Sequence, residues 1–407
     1  MKRRILLTTT AYPPSTGGAQ ANVAELRERL TSFDADVLTL WLQNRSDWLL
    51  GTTLRLGGHG LAQSAPGLTT VGWSANTRLR MLPWVMSYYL NPAAVAKRIA
   101  AQMVPYVEQA VNAEHKLIHN HRIGREFLAH ASLAVARRRR IPFVLTPNHH
   151  PRWRGYRYEG WLEVYRAADA VLTLTQVESE ELQRLGVAQD RIHVILCAAD
   201  PPLPANPSRF RARIGGSTEP LILFVGQLYS YKGVDELVVA TQALRATGVL
   251  AELAFLGPPT PFSTRFFARH TAPWLHVLGT VDEQTKWDAI EASSVVCLPS
   301  RQESFGRVYL EAWSKEKPVV GGRIPTAREV ITEGETGLLV DLDSPKELAD
   351  SLARILTDPQ LAAKLGQRGR GEVEGRFSWS GVVKRVETAY DAAIERVAAA
   401  TSVSSRP

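Results

Sequence analysis

The feature that most constrains the fold is an alternation of short apolar runs with helical patterns, which stops at a proline-rich segment and then begins again. In the first half, the apolar runs predict strands at Ile5–Thr10, Asp36–Leu40, Lys116–His119, Pro142–Thr146, Ala170–Thr175 and Arg191–Leu196. Helical patterns such as Ala19–Leu30 and Phe127–Arg138 lie between them. This alternation is typical of a parallel sheet covered by helices on both faces.

The interruption is the segment 200–207, DPPLPANP, whose four prolines exclude regular strand pairing. Beyond it the pattern predicts strands at Leu221–Val225, Glu252–Leu256, His276–Leu278, Ser294–Leu298, Lys317–Val320 and Leu338–Val340. We therefore predict an α/β protein of two doubly wound, Rossmann-like domains, residues 1–204 and 205–378, which face each other across a cleft. A helix over 379–397 would return toward the first domain, and a flexible tail would follow over 398–407. Ligands of such sheets bind at the carboxyl ends of the strands.

The composition is that of a soluble globular chain with an excess of positive charge. Hydrophobic residues make up 45% of the sequence, and the formal net charge is +8 at pH 7. A basic surface attracts phosphates, anionic glycans and anionic lipids. No run approaches the ~18 apolar residues that cross a bilayer, and no secretory signal follows the initial Met1. We therefore expect a cytoplasmic protein.

Three motifs contain residues suited to binding an anionic ligand. The first is the loop PPSTGGA, in which Gly17 and Gly18 follow the first strand and precede a helix. Glycines allow close approach of the backbone to a ligand, and a helix N-terminus offers free N–H groups. The second is GQLYSYKG, residues 226–233, which places Lys232 beside the second sheet, where an ammonium can neutralise a diphosphate.

The third motif, ESFGRVYLE, places Glu303 and Glu311 eight residues apart around the start of a helix. Ser304 or Gly306 can begin that helix, which leaves the amides from Phe305 to Val308 free for a phosphate or a sugar hydroxyl. Glu303 would precede the helix, and Glu311 would lie about two turns into it. A carboxylate at that position can accept hydrogen bonds from both hydroxyls of a ribose.

Together these motifs resemble those of the large retaining glycosyltransferase family 4, whose members have the GT-B fold. The matching segments include the Gly17-Gly18 loop, the Lys232-Gly233 turn, the two-glutamate motif, and also Ala251–Gly257, Gly279–Val281, Lys317–Val320 and Glu333–Val340. The resemblance covers nearly all of residues 5–390 and is more specific in the C-terminal half.

The resemblance implies a sugar donor linked to UDP or GDP, a glycan, lipid-linked or small-molecule acceptor, and no bound metal or other cofactor. Glu303 would contact the donor sugar, Lys232 the diphosphate and Glu311 the ribose. The backbone near Val281 would pair with the base. The remaining donor-binding residues would be Ser304, Phe305, Gly306 and Arg307, together with Gly17 and Gly18 in the first domain.

One departure from the family pattern concerns the diphosphate. The family has an arginine where this chain has Gln227, and glutamine offers neither the charge nor the paired donors of a guanidinium. Either donor binding is weaker in this chain, or an arginine from elsewhere, such as Arg307 or Arg301, compensates.

Two pairs of histidines end neighbouring predicted strands. By the resemblance, one histidine after a threonine-containing strand contacts the sugar, and His149 matches that position best, with His150 as the alternative. With Lys232 and Glu303, His149 would form the catalytic group. His119, His121 and His150 would contact the acceptor, or His119 would be a packed residue at its strand end. No carboxylate or cysteine completes either pair as a zinc site.

The segment Thr77–Ala110 combines basic and aromatic residues such as Arg80 and Trp84. Two interpretations remain for it: a helical insert that lines the acceptor site, or an amphipathic surface that lies on an anionic membrane at its inner face. We expect no nucleic-acid partner. Two other functions also remain, a sugar-nucleotide epimerase of the same fold and a non-catalytic relative that binds glycans or membranes.

Overall fold

The computed structural model describes residues 2–15, 17–43, 60–121, 127–149 and 158–404. The chain forms two compact units, one of Met1–Leu196 with Ser380–Pro407 and the other of Cys197–Trp379. The chain leaves the first unit before the proline-rich segment, and not at residue 204 as the sequence predicted. The segment after Cys197 belongs to the second unit, where the indole Nε1 of Trp379 donates to the carbonyl of Ala199 at 2.8 Å.

The first unit is built on one mixed sheet. Its strands are β1 (Arg3–Ala11), β2 (Phe33–Trp41), β3 (Gly60–Ala65), β4 (Leu68–Gly72), β5 (His115–His121), β6 (Phe143–Thr146), β7 (Ala170–Thr173) and β8 (Ile192–Val194). They lie in the order β3-β4-β2-β1-β5-β6-β7-β8, and only the β3–β4 pair is antiparallel among these strands. The carboxyl ends of the parallel strands therefore meet at one edge.

Helices cover the apolar faces of this sheet. They are α1 (Gly18–Arg29), α2 (Ala75–Ser87), α3 (Pro92–Ala110), α4 (Phe127–Arg139), α5 (Glu159–Ala167) and α6 (Gln176–Arg184). Ile99, Met103 and Val107 on α3 share one core with Ile118 of β5 and Val135 of α4. The four-residue spacing of Ile99, Met103 and Val107 places these side chains on one helical face, as burial against a sheet requires.

The second unit repeats the plan with a wholly parallel sheet. Its strands are β9 (Leu221–Val225), β10 (Glu252–Leu256), β11 (Leu275–Gly279), β12 (Val295–Leu298), β13 (Val319–Gly322) and β14 (Leu338–Val340), in the order β11-β10-β9-β12-β13-β14. Runs such as Leu221–Val225 are apolar without alternation because a parallel sheet is covered on both faces. The two doubly wound, Rossmann-like domains predicted from the sequence are confirmed.

The helices of the second unit lie between these strands in the chain. They are α7 (Pro207–Arg213), α8 (Val234–Ala246), α9 (Pro261–Phe267), α10 (Glu283–Ala292), α11 (Arg307–Ser314), α12 (Pro325–Val330), α13 (Pro345–Thr357) and α14 (Pro359–Glu374). Helix α7 was missed by the sequence analysis, which treated the proline-rich segment as irregular. Asn206 caps it and Pro207 occupies its first turn, where a missing N–H costs nothing.

The last helix, α15 (Trp379–Ser404), returns to the first unit. Glu387 accepts hydrogen bonds from the amides of Thr31 at 2.7 Å and Ser32 at 2.8 Å, and Tyr390 packs edge-on against Phe33 at 5.1 Å. The helix continues through Ser404, so the prediction of a loose tail from residue 398 is wrong for residues 398–404.

The hairpin β3–β4 was also missed by the sequence analysis. β3 has the sequence GLAQSA, and most of its side chains are exposed. A strand that faces solvent needs no apolar pattern, so nothing in its sequence distinguishes it from a loop. Only its pairing with β4, which itself pairs with β2, makes it a strand.

Candidate active site

The lysine turn of the second unit is held against the end of β12 by a glycine. After β9 the chain forms one 3₁₀ turn, Ser230–Lys232, and Gly233 then adopts a left-handed conformation with φ 75°. A Cβ atom on Gly233 would lie 2.2 Å from the carbonyl oxygen of Pro299, so only glycine allows this approach. The turn therefore fixes Lys232 beside the loop that follows β12.

Lys232 and Glu303, two of the three predicted catalytic residues, are in direct contact. The Nζ of Lys232 donates to Oε1 of Glu303 at 2.6 Å, and Oγ of Ser300 donates to the same oxygen at 2.8 Å. Thr326 holds the Glu303 backbone by donating to its carbonyl at 3.1 Å. The ammonium and the carboxylate are mostly buried, so their interaction is less screened than a surface pair.

The loop between Glu303 and α11 presents backbone rather than side chains. The side chain of Phe305 is buried and packs edge-on against Phe377 at 5.7 Å. Gly306 caps α11 with φ 88°, and a Cβ there would lie 2.4 Å from the ring of Tyr309. The N–H groups of the first helical turn have no partner within a helix and carry its positive dipole end. Ser304 to Arg307 therefore lie at the helix N-terminus where the sequence predicts an anion cradle.

Glu311, the second glutamate of the motif, is held by a lysine that the sequence analysis missed. The Nζ of Lys286, on α10, donates to Glu311 at 3.0 Å and also pairs with Glu283 at 2.8 Å. Burial lowers the pKa of Lys286, but the two carboxylates outweigh that effect and raise it. Lys286 therefore stays charged and orients Glu311. Its position on the helix after the predicted base-binding loop was the only signal in the sequence.

The two arginines expected to compensate for Gln227 lie in different surroundings. Arg307, the first residue of α11, pairs with Asp200, and both side chains are largely buried. Arg301 pairs with Glu236 and reaches Asp343 at 3.6 Å, with its side chain 41% exposed. Gln227 itself is exposed after β9.

The predicted base-binding loop lies at the carboxyl end of β11. The amide of Gly257, which follows β10, donates to the carbonyl of Gly279 at 2.8 Å, which ties the two strand ends together. Asp282 then caps α10 by accepting from the amide of Thr285 at 2.7 Å. Val281 between them is half-buried, with its backbone in the loop.

The glycine loop of the first unit precedes α1 as predicted. Gly17 is the N-cap residue and Gly18 begins the helix. The φ of Gly17 is 152°, and a Cβ there would lie 2.4 Å from the side chain of Gln20. Both glycines therefore occupy the helix N-terminus that the anion-binding prediction requires.

His149, the third predicted catalytic residue, follows β6 in the first unit and is buried. Its amide donates to Oε1 of Glu178 at 2.7 Å, and Oε2 of the same carboxylate accepts from the amide of Leu174 at 2.7 Å. The imidazole packs edge-on against Tyr165 at 5.8 Å. Glu178 thus positions the loops after β6 and β7 together, a role that the sequence analysis missed because a glutamate in a helix resembles a solvated residue.

His119 is a packed residue at the end of its strand, which is the second of the two roles that the sequence allowed for it. Its side chain is fully buried, with Nδ1 2.6 Å from the hydroxyl of Tyr390 and Nε2 2.8 Å from Oγ1 of Thr146. Burial and the neighbouring His121 lower its pKa well below the usual range. With both ring nitrogens engaged, His119 offers none to an acceptor. It instead connects β5, β6 and α15.

His121 lies beside His119, with the two ring centroids 4.0 Å apart. Burial lowers its pKa to about 3, and its Nε2 has no hydrogen-bond partner among the described residues. His121 is therefore a neutral, buried side chain at the end of β5. His150, the remaining histidine of the acceptor prediction, lies outside the described residues.

Within the described ranges, no three His, Cys, Asp or Glu side chains lie close enough to hold a metal ion. In the same ranges, no helix has the length and apolar character needed to cross a membrane.

Comparison with known proteins assigns the family. The description Glycosyltransferase Family 4 matches residues 16–202, and Glycosyl transferases group 1 matches residues 209–372. These ranges correspond to the two Rossmann-like units. The chain belongs to the group 1, family 4 glycosyltransferases, as its motifs predicted.

Two curated relatives illustrate the range of this similarity. A D-inositol 3-phosphate glycosyltransferase of Xylanimonas cellulosilytica is 32% identical over 272 residues, which is 62% of this chain and 64% of the relative. The matched part thus spans less than two thirds of that relative. An alpha-maltose-1-phosphate synthase of Mycolicibacterium smegmatis is 27% identical, over 95% of this chain and 98% of the relative.

Solved structures show the same fold. Sucrose-phosphate synthase from Thermosynechococcus elongatus superimposes with a TM-score of 0.72 at 19% identity, over 96% of this chain and 98% of that structure. Anabaena HepE, solved with UDP and glucose, gives a TM-score of 0.70 at 17% identity, over 96% and 99% of the two chains. The GT-B architecture predicted from the sequence is confirmed.

Proposed function

We propose that this protein is a retaining glycosyltransferase that moves a hexose-type sugar from a UDP- or GDP-sugar to a glycan, lipid-linked or small-molecule acceptor, without a metal. The observation that best supports this is the arrangement around the N-terminus of α11. Glu303 and Glu311 flank it, and each is held by a lysine. The named activities of the relatives and the UDP bound to HepE support the same class of donor.

The donor would bind by replacing contacts that exist without it. Lys232 would exchange the Glu303 carboxylate for a phosphoryl oxygen, while the amides at the start of α11 bind the same diphosphate. Glu303, released from Lys232, would accept a hydrogen bond from a sugar hydroxyl. Glu311 would accept from the ribose hydroxyls while Lys286 keeps its carboxylate in place.

In the reaction, the bond between the anomeric carbon and the distal phosphoryl oxygen breaks, and a bond to the acceptor oxygen forms on the same face of the sugar. The acceptor proton passes to the departing diphosphate, so no enzyme carboxylate needs to become covalently attached. Negative charge grows on that diphosphate as the bond breaks. Lys232 and the α11 amides would stabilise this charge, and stabilisation of the charge that develops in the transition state is where such sites lower the barrier most.

The test is to incubate the protein with UDP-glucose and with GDP-mannose, with and without oligosaccharide acceptors, in the presence of EDTA. We expect nucleoside diphosphate release that depends on acceptor, and a product with the anomeric configuration of the donor by NMR. Release of UDP without acceptor, with an epimerised sugar, would show an epimerase. Binding of donor without release would show a non-catalytic relative. Either result would overturn the proposal.

We propose further that α2 docks the protein on the inner face of an anionic membrane. Large apolar side chains line one side of this helix and the turn after it: Leu79, Leu82, Met86, Tyr89 and Leu90. Leu79, Met86 and Leu90 are 68%, 74% and 80% exposed. Isolated exposed apolar residues are ordinary, but a contiguous row of them marks a contact surface.

The positive charges beside this row of apolar side chains favour an anionic lipid surface over a protein as the partner. Arg80 is exposed on the same helix, and the guanidinium of Arg98 lies 4.2 Å from the ring of Trp84. Apolar side chains bordered by arginines are typical of helices that lie in the interface of an anionic bilayer. This arrangement would bring a lipid-linked acceptor to the enzyme.

Sedimentation with phosphatidylcholine vesicles, with and without phosphatidylglycerol, tests this surface. We expect the wild-type protein to bind the anionic vesicles and the triple variant L79Q/L82Q/M86Q to stay in solution. The control L250Q/V239Q changes two exposed apolar residues of the second unit and should bind like the wild type. Undiminished binding by the triple variant would overturn the membrane proposal.

A further inference from the structure

The diphosphate subsite of this chain lacks one of the positive charges that its resemblance leads one to expect. Gln227 is neutral and exposed, and Lys232 is paired with Glu303. Each phosphoryl group of a bound nucleoside diphosphate bears negative charge, and removing it from water requires charged partners. A second cation near the start of α11 would meet this requirement.

We propose that Arg307 is that second diphosphate-binding cation, and that Asp200 serves as its counter-ion until the donor arrives. This inference rests on the proposed function, in which a nucleoside diphosphate binds at the N-terminus of α11. Arg307 is the first residue of this helix, directly after Gly306. Its backbone amide therefore belongs to the first turn of α11, and its side chain starts from the same position.

The local environment separates Arg307 from the other available arginine. Arg301 pairs with Glu236 on α8 and with Asp343 after β14, and nearly half of its side chain faces solvent. Arg307 is only 13% exposed, and it lies four residues before Glu311, the predicted ribose ligand, so both side chains share one face of α11. The Arg307 guanidinium is thus the one on the side of the helix that the nucleotide would occupy.

Asp200 is held in place by a packed segment rather than by a flexible loop. Cys197, Ala198 and Ala199, which precede it, are buried, and the Ala199 carbonyl accepts the hydrogen bond from Trp379. The Asp200–Arg307 pair therefore presets the guanidinium near the helix start. Preorganisation of this kind reduces the conformational entropy lost when a ligand binds.

An exchange of partners makes physical sense at this position. A guanidinium binds phosphate with two parallel hydrogen bonds, as it binds a carboxylate. A diphosphate offers more negative charge than one carboxylate and, once bound, is close to Lys232 and the α11 dipole as well. The donor would therefore displace Asp200, whose side chain is 19% exposed against 13% for Arg307. No such displacement is needed for a neutral nucleoside.

The experiment measures binding of UDP, GDP, uridine and guanosine by isothermal titration calorimetry. For the diphosphate that binds wild-type protein, we expect R307Q to weaken affinity by ~10-fold or more, because a charged hydrogen-bond pair is lost. D200N should tighten it by ~3-fold, since the competing carboxylate is gone. The double variant R307Q/Q227R should regain most of the loss. The control R301Q should bind like the wild type.

The nucleosides distinguish a binding role from a structural one. R307Q should leave the affinity for uridine or guanosine unchanged if Arg307 contacts the diphosphate, whereas a distorted α11 would weaken both. If the wild type binds a diphosphate but R307Q and R301Q match it, this inference fails and the proposed function stands. If neither UDP nor GDP binds the wild type, both fail. D200N keeps the test open even if R307Q does not fold.

Discussion

The polar residues at the carboxyl ends of the two sheets differ in their charge. At the end of the second sheet, Lys232, Lys286 and Arg307 are charged, and each is paired with a carboxylate. At the end of the first sheet, His119 and His121 are fully buried and held neutral by burial. Both edges are rich in groups that could bind a ligand, but of these five residues only those of the second edge carry charge.

The difference shows what an ion pair offers that a buried neutral network does not. A polyanion can replace a carboxylate as the partner of a lysine, because the charge on the lysine persists through the exchange. A neutral histidine bound between Tyr390 and Thr146 has no charge to offer, and breaking its hydrogen bonds would disturb three packed elements. These observations support the proposal that the donor binds at the second edge, while the hydrogen bonds of His119 hold packed elements of the first unit together.

The largest expected effect that separates the two units is a loss of stability in acid. Burial is the first cause that lowers the pKa of the first-unit histidines His115, His119, His121, His130 and His193, to about 3 for His121 and about 4 for His130. Unfolding restores the ordinary value of about 6.5. Below pH 6.5 the unfolded chain therefore binds protons that the native unit does not.

The sign follows from this proton balance. Stability is highest above pH 6.5 and decreases as the pH falls, by about 1.4 kcal/mol per pH unit for each such histidine until its native pKa is reached. His121 alone should cost about 2 kcal/mol at pH 5. Hydrogen exchange at pH 7 and pH 5, normalised for intrinsic rates, should show loss of protection in the first unit. The variant H121N should reduce that loss.

The second unit serves as the internal control for the acid experiment. Its Asp288 has a pKa of about 2, lowered first by its hydrogen bond from Arg209. A carboxylate whose pKa is lowered in the native state contributes stability above its unfolded pKa of about 3.8. That stability is lost only as the pH falls toward 2. Equal loss of protection in both units between pH 7 and pH 5 would contradict the assignment of the histidines as buried and neutral.

The next effect is on turnover. Lys232→Ala should lower the rate of sugar transfer by ~100-fold or more, because the departing diphosphate loses its ammonium partner. Glu303 would keep its hydrogen bond from Ser300 but lose its mostly buried counter-ion, so we expect the melting temperature to fall by several degrees while the protein stays folded. Lys346→Ala, at an exposed lysine of the same unit, is the control. Wild-type turnover in Lys232→Ala would remove the donor-site assignment.

The smallest effect concerns the lysine that orients the predicted ribose ligand. Lys286→Met retains a flexible apolar stem but removes the charge, so we expect nucleotide affinity to fall ~3- to 10-fold while turnover at saturating donor stays near normal. Lys315→Met removes a lysine paired with Glu291 in the same unit and should change neither value. Calorimetry with the nucleoside diphosphate checks both. Identical losses in the two variants would argue for general destabilisation.

Much of the fold could be predicted from the sequence because its signals are local. Leu221–Val225, Glu252–Leu256 and Leu338–Val340 were predicted with the bounds that the structure shows, since each is a short apolar run between turns. The hairpin β3–β4 could not be predicted, because β3 is largely exposed and lacks an apolar pattern and β4 is only five residues long. The helix that begins at Pro207 was not predicted, and the last helix was predicted to end too early. Prolines occur in the first turn of a helix as well as in loops, and small residues occur at helix ends as well as in loops, so the sequence did not distinguish these cases.

The residues of the candidate site also divide into those that a local sequence pattern identifies and those that it does not. The motif around Glu303 and Glu311 and the Lys232-Gly233 turn are each contiguous in the chain, so a short stretch of sequence is enough to identify them. Lys286 and Glu178 could not be identified in this way, because each acts on a residue that is distant in sequence. A lysine or a glutamate in a helix has the same sequence signature whether it faces solvent or holds a buried partner.

By itself, the sequence determined the two-domain α/β architecture, the family and the residues around α11, since these depend on short-range pattern and on glycines at left-handed turns. Only the tertiary structure decided which charged residues pair with one another and which histidines are buried in the neutral form. Glu311 meets Lys286 across 25 positions, and His119 meets Tyr390 across 271. Such contacts follow from how sheets and helices pack, and packing sets the local dielectric that decides whether a group stays ionised.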